Sequence, residues 1–191
     1  FISLAPDFLG YGGSYNPSED VFASGFETYT TALNLLSAIR DWPFAQAVGL
    51  WGHSNGGQVA LTVLEITGGD YPTVLWAPVS KPFPYSILYY TDEADDKGKA
   101  LRKKLAQFEQ DYDVDKYSLT NYLDRISAPL EIHQGTGDEA VPEKWTNELA
   151  QKLKSDYFVY PGADHNMSGV WGKVINRNIQ FFNTHLKSVV K

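Results

Sequence analysis

The stretch Gly52-His53-Ser54-Asn55-Gly56-Gly57 places a serine between glycines two residues to either side. The apolar run Ala47-Val48-Gly49-Leu50-Trp51 precedes it, and Gln58-Val59-Ala60-Leu61-Thr62-Val63-Leu64 follows. This reads as strand, sharp turn and helix, with the serine at the apex. A hydroxyl held there stands beside the free N–H groups of a helix N-terminus, where developing negative charge is favoured. The chemistry that suits it is nucleophilic attack on an acyl carbon. Gly52 and Gly56 are expected on steric grounds, because a strained turn brings strand and helix against the flanking positions. An ordinary serine in a glycine-rich turn would have the same five residues. The distinction rests on whether a base and an acid follow.

Both do. Leu130-Glu131-Ile132-His133 reads as a strand, and Gln134-Gly135-Thr136-Gly137-Asp138-Glu139-Ala140-Val141-Pro142 follows, so Asp138 lies in a loop just past a strand end. Tyr157–Tyr160 reads as the next strand, and Pro161-Gly162-Ala163-Asp164-His165 puts His165 in the equivalent place. A serine hydroxyl is a weak nucleophile until a base takes its proton. His165 suits that task, and Asp138 would orient the imidazole and stabilise its charged form. Asp164 and Glu139 are the rival acids, and Asp138 has the better context. His53 is read as structural, pointing away from the serine. His133 and His185 read as packed or surface histidines, and Asp7 as loop-stabilising.

Short apolar runs at Phe1–Leu4, Ala47–Trp51, Thr73–Trp76, Leu130–His133 and Tyr157–Tyr160 read as about five buried strands, separated by helical periodicities. Ser24-Gly25-Phe26-Glu27 reads as a capping box opening a helix with Phe26, Tyr29, Leu33 and Leu36 on one face, stopped near Pro43. Pro142 suits the first turn of a helix with Trp145, Leu149 and Leu153 inward. A last helix places Trp171, Val174, Ile175, Ile179, Phe182 and Leu186 on one side. Strand–helix alternation gives an α/β domain spanning 1–191 with a mostly parallel sheet flanked by helices. Right-handed crossovers then bring all strand C-termini to one edge, where sites form. The segment 81–127 has no strand signal. Its acidic cluster (Asp92, Glu93, Asp95, Asp96) runs into a helix at Lys97–Lys104 with Leu101, Leu105 and Phe108 on one face. It reads as a helical lid or cap insertion, or as ordinary surface helices.

Taken together, these three motifs resemble the α/β-hydrolase superfamily, in its prolyl oligopeptidase-like and esterase branch. The opening Leu4-Ala5-Pro6-Asp7-Phe8-Leu9-Gly10-Tyr11-Gly12-Gly13-Ser14 is also similar to a strand and glycine-rich loop of that family. The resemblance covers nearly the whole chain. It implies a Ser54, His165, Asp138 triad and an acyl-enzyme on Ser54, with the backbone N–H of Asn55 as one oxyanion donor. The family's second donor lies on a His-Gly loop upstream of this strand, and the sequence leaves it unassigned, with the Gly10–Gly13 loop as a substitute. The resemblance leads one to expect the usual fold's first strands to be missing from this sequence, and the chain reads as a fragment, a processed form or a trimmed chain. The implied activity is carboxylic ester hydrolysis. The alternatives are peptidase activity of prolyl oligopeptidase type, and a weak or inactive fragment acting as a binding module. Tyr11, Trp76, Phe83, Tyr85 and Trp171 are candidate pocket aromatics, with core packing the competing role for each.

Composition narrows the partners. The 191 residues carry a net charge of −7 and no cysteine. A negative chain argues against nucleic acid or an anionic membrane as partner, and no apolar run reaches the roughly 20 residues a membrane span needs. No metal or cofactor is expected. The expected partner is a small ester or a short peptide as substrate. Self-association through an exposed sheet edge is the other expectation.

Overall fold

The computed structural model describes residues 1–42, 47–91 and 94–186. Among them are four strands, β1 (Leu50–His53), β2 (Thr73–Trp76), β3 (Leu130–Gly135) and β4 (Asp156–Tyr160), all parallel and in the order β1-β2-β3-β4. The register aligns His53 with Trp76 and Trp76 with His133, so the strand C-termini share one edge. Six α-helices accompany them: α1 (Val21–Arg40), α2 (Asn55–Thr67), α3 (Tyr85–Leu88), α4 (Lys99–Asp111), α5 (Glu143–Leu153) and α6 (Trp171–His185). The expected run Phe1–Leu4 is not a strand. Its four residues are exposed and pair with nothing in the sheet, because an apolar run becomes a strand only where a neighbouring strand takes its backbone groups.

The central strands β2 and β3 are buried on both faces. On one, Ala60 and Leu61 of α2 and Leu149 and Ala150 of α5 pack on Leu75 and Ile132. On the other, Val174 and Phe181 of α6 pack on Val74, Trp76 and Tyr160. Of the expected stripe on α6, Val174 is buried and Ile175 and Phe182 pack against the same cluster, with Asn178 and Phe181 completing the inner face. Trp171 and Ile179 stand largely exposed. A polar thread runs beneath α6. His133, fully buried, bonds through Nε2 to Glu131 Oε1 at 2.9 Å and through Nδ1 to the Tyr160 hydroxyl at 3.0 Å.

α1 starts earlier than the capping-box reading places it. Asp20 is the N-cap, its carboxylate accepting from the N–H of Phe22 (2.9 Å) and Ala23 (2.8 Å). Ser24 lies inside the first turns, and Glu27 reaches outward to accept from Ser18 N–H. Aspartate accepts first-turn N–H groups at least as well as serine, so the earlier cap wins. α1 ends at Arg40, and Pro43 lies outside the described residues.

The described part of 81–127 is helical and without strand, running through α3, α4 and short 3-10 turns. Asp96 accepts from Gly98 and Ala100 N–H ahead of α4, whereas Asp92 and Glu93 lie outside the described residues. Leu105 of α4 is buried with Phe22 of α1 and Phe83, and Leu101 and Phe108 pack beside them. This apolar cluster ties the segment to α1.

Candidate active site

Ser54 closes β1 and opens α2. Its backbone sits at φ 56°, ψ −121°, a region costly for a residue with a side chain. The surroundings hold it there: Ser54 N–H donates to Trp76 O (2.9 Å), and Ser54 O accepts from Val79 N–H (3.1 Å) and Gly57 N–H (3.0 Å). A Cβ on Gly52 would lie 2.4 Å from Gly56 O, and one on Gly57 would lie 2.6 Å from Pro78 Cβ. The expected requirement at Gly56 is corrected: a Cβ there meets nothing within 4 Å. α2 turns Gly57, one residue later, against the loop after β2.

The loops carrying Asp138 and His165 lock together. Thr136 N–H donates to Tyr160 O (3.0 Å), Gly137 N–H to Ala163 O (2.9 Å) and Gly162 N–H to Thr136 Oγ1 (2.8 Å). Across this seam His165 Nδ1 lies 2.8 Å from Asp138 Oδ2. The Asp138 side chain is fully buried and that of His165 is 21% exposed. Asp138 Oδ1 accepts from the N–H of Ala140 and Val141 at 2.9 and 2.8 Å. With the carboxylate accepting, Nδ1 carries a proton, so a neutral imidazole in this orientation presents its lone pair at Nε2, the form a general base needs. Asp164 is engaged elsewhere, its Oδ1 accepting from Asn166 and Ser168 N–H. Those contacts hold its carboxyl below the usual range.

His53 touches this pair. Its Nε2 lies 2.9 Å from His165 O, and the two rings are 4.5 Å apart. A carbonyl only accepts, so Nε2 carries the His53 proton. Burial holds the His53 imidazole below the usual histidine range, and the proximity of His165 adds to this, against the opposing effects of that hydrogen bond and of Asp138.

A cavity of about 330 Å³ opens beside Ser54, lined also by Asn55, Gln58, Val79, Ser86, Ile87, Tyr90 and Ala140. Ser86, Ile87 and Tyr90 come from the 81–127 segment, which therefore walls the cavity that holds the serine. Burial pushes the Tyr90 hydroxyl up to about 12, so it stays protonated and able to donate. The aromatics expected at the pocket lie elsewhere. Trp76 is buried and edge-on to Trp171, Phe83 is in the cluster with Phe22, and Tyr85 packs on Trp145. Tyr11 is exposed on the loop after Asp7. In that loop Gly10, Tyr11 and Gly13 N–H already donate to Tyr15 O, Phe8 O and Asp7 Oδ2, which leaves those three unfit as oxyanion donors. Sequence reasoning missed Gln58, Ser86, Ile87 and Tyr90, because nothing in their spacing marks a cavity wall. Among the described residues no three His, Asp or Glu side chains gather as a metal site, and no helix is long and apolar enough to cross a membrane.

No curated protein matches the chain by sequence. Among solved structures it is similar to a puromycin-hydrolyzing peptidase of Mycobacterium tuberculosis, with TM-score 0.66 and 20% identity over 85% of this chain and 26% of that one. Est1E from Butyrivibrio proteoclasticus with ferulic acid bound gives TM-score 0.70 and 17% identity over 94% of this chain and 75% of that one. Dipeptidyl peptidase 4 of Porphyromonas gingivalis gives TM-score 0.63 and 18% identity over 85% and 23%. The chain thus spans about a quarter of each peptidase and three quarters of Est1E. At such identities the likeness establishes a shared fold, the α/β-hydrolase core. The model of the prolyl oligopeptidase family matches residues 24–189, a span holding the elbow at Ser54, the buried acid at Asp138 and the histidine bonded to it, and the chain belongs to that family.

Proposed function

We propose that this chain is a serine hydrolase that cleaves carboxylic esters through an acyl-enzyme, with Ser54 as nucleophile, His165 as general base and Asp138 as the acid that orients it. The observation that carries the reading is the 2.8 Å bond between His165 Nδ1 and Asp138 Oδ2 at the sheet edge where the strained Ser54 elbow stands. Ser54 Oγ attacks the acyl carbon while His165 Nε2 takes its proton. The oxyanion accepts from Asn55 N–H at the start of α2. His165 then protonates the leaving alcohol, and water activated by the same imidazole releases the acid. The 81–127 segment acts as a lid whose Ser86, Ile87 and Tyr90 shape the acyl site.

Esters are favoured over peptides by the comparison with Est1E, which matches this chain over most of its own length and binds ferulic acid. The peptidase alternative draws on the two peptidases, of which this chain spans only about a quarter. A panel of p-nitrophenyl esters against peptide anilides separates the two. The proposal expects ester turnover and little anilide cleavage, and the reverse order would replace it with the peptidase reading. A catalytically weak chain is a further reading, favoured by the N–H groups already bonded in the Gly10–Gly13 loop. Lack of a second oxyanion donor would cost about 3–4 kcal/mol, or roughly a hundred- to a thousandfold in rate. Self-association is proposed through β1, an end strand of the sheet; a sedimentation coefficient independent of concentration would argue against it.

A further inference from the structure

The strand that leads to Asp138 carries a side chain that neither the family comparison nor the proposed mechanism uses. Gln134 is fully buried, on the penultimate position of β3. Its Nε2 faces three acceptors: Gly135 O at 3.1 Å, Asp138 Oδ2 at 3.1 Å and Val141 O at 3.2 Å. All three can only accept when the carboxylate is ionised, so the amide nitrogen must point toward them. Oε1 then points the other way, where the fully buried Thr146 of α5 approaches to 2.6 Å through Oγ1. An amide oxygen offers no proton, so the threonine hydroxyl donates. Thr146 thereby fixes which end of the Gln134 amide meets Asp138.

The placement matters because of which oxygen it engages. Oδ1 of Asp138 is occupied by two backbone N–H groups, and among the described residues Oδ2 is shared between His165 and Gln134. Four donors thus fill the carboxylate's acceptor positions, and the only one of them on a side chain besides His165 is Gln134. We propose that Gln134, oriented by Thr146, is a positioning residue that sets the angle at which Asp138 meets His165 and tempers the negative charge the imidazole feels. This rests on the reading of Ser54, His165 and Asp138 as a catalytic triad. The competing role is a buried glutamine that only satisfies two backbone carbonyls; its loss would lower stability and leave the chemistry unchanged.

The two roles separate in the reaction of the full chain with a fluorophosphonate, followed as saturating labelling rate and half-saturating concentration across pH. Gln134→Met keeps the volume and removes the donor. It is expected to lower the saturating rate about ten- to a hundredfold, since small misplacements of catalytic groups cost that much, with the half-saturating concentration nearly unchanged. Asp138 without this donor presents more charge to His165 and favours the imidazolium, so the acid limb of the rate profile moves to higher pH. The other ionisable groups near the pair, His53 on β1, Asp164 on the histidine loop, Glu139 on the acid loop and Tyr90 on the lid segment, are the same in both proteins, so the displacement is assigned to Gln134. Thr146→Val is expected to follow in the same direction, and Thr146→Ser, which restores the hydroxyl, to recover the wild-type rate and limb. This pair also decides the matter if Gln134→Met does not fold. Folded variants with wild-type rate and acid limb overturn the inference. Ser54→Ala keeps the failures apart: if it labels like the wild type, the triad reading itself falls, whereas an unlabelled Ser54→Ala beside an unaffected Gln134→Met removes only the positioning role.

Discussion

At the scale of single residues, the candidate site is built by satisfying a buried charge. The Asp138 side chain has no contact with solvent, and every acceptor position on its carboxylate is filled by an N–H from Ala140, Val141, Gln134 or His165. An ionised carboxylate is tolerated in a protein interior only under such conditions. The same bonds fix the histidine tautomer. Asp138→Asn is near in shape but presents an amide that can turn its own N–H toward Nδ1, reversing the tautomer and blocking Nε2. On the proposed mechanism ester kcat falls by roughly 10⁴-fold with KM little changed, which steady-state kinetics on a p-nitrophenyl ester measures. A loss confined to KM would show that Asp138 shapes binding instead. Ser54, Asp138 and His165 were legible in the sequence because each lies just past a strand in an α/β alternation. Gln134 was not, although a signal existed: β3 is buried throughout, and Glu131, His133 and Gln134 are polar within it. Polar residues in a fully buried strand must have partners, and tracing those partners leads to Tyr160 and Thr146, and from Gln134 to Asp138.

At the scale of elements, the β1–α2 elbow decides where the serine stands. Its glycines are unequal, as the sequence pattern alone could not reveal. Gly57 faces Pro78 and Gly56 faces open space, because the first turn of α2 rotates successive residues by about 100°. Gly57→Ala is therefore expected to destabilise the fold by about 1–3 kcal/mol through overpacking. Gly56→Ala, whose Cβ is free, should be neutral or stabilise by up to about 1 kcal/mol from helix propensity. Urea unfolding of the two variants checks the order, and equal effects would contradict the assigned packing. The four strands were readable from apolar runs between helical periods. Phe1–Leu4 had the same composition and no strand beside it, which is a property of the assembled sheet and not of the run. The start of α1 was misplaced for a local reason: two capping signals compete within five residues, and Asp20 takes the backbone N–H groups.

At the scale of the whole molecule, α2 joins the α/β core both to α1 and to the 81–127 segment, whose Leu119 and Leu123 pack with Ala60 and Leu61. Gln58 of α2 donates to the Tyr29 hydroxyl of α1 at 3.1 Å, and burial raises that phenol above its ordinary value. Glu65, also on α2, is buried with no partner for Oε1. Burial pushes its carboxyl up to about 8, the attraction of Arg125 opposing and Asp124 adding to the rise. The native chain keeps this proton at a pH where the unfolded chain, with a value near 4.5, has lost it. Between roughly pH 4.5 and 8 the unfolded state binds fewer protons at this site, so the contribution of Glu65 to stability falls as pH rises. Glu65→Gln should flatten that decline and be more stable than the wild type near pH 8. Thermal unfolding of both proteins at pH 5 and pH 8 measures it, and parallel pH dependence in the two would remove Glu65 as the cause. None of this was readable from sequence, where Glu65 is an ordinary polar residue near the end of a helix.

Covalent labelling by a fluorophosphonate asks whether Ser54 is a nucleophile activated by His165. The wild-type chain is expected to take one label on Ser54, and to lose that labelling on acidification, when protonated His165 has no lone pair at Nε2. Folded Ser54→Ala should take none. A folded wild-type chain that stays unlabelled, or a Ser54→Ala variant that labels as fast as the wild type, would contradict it.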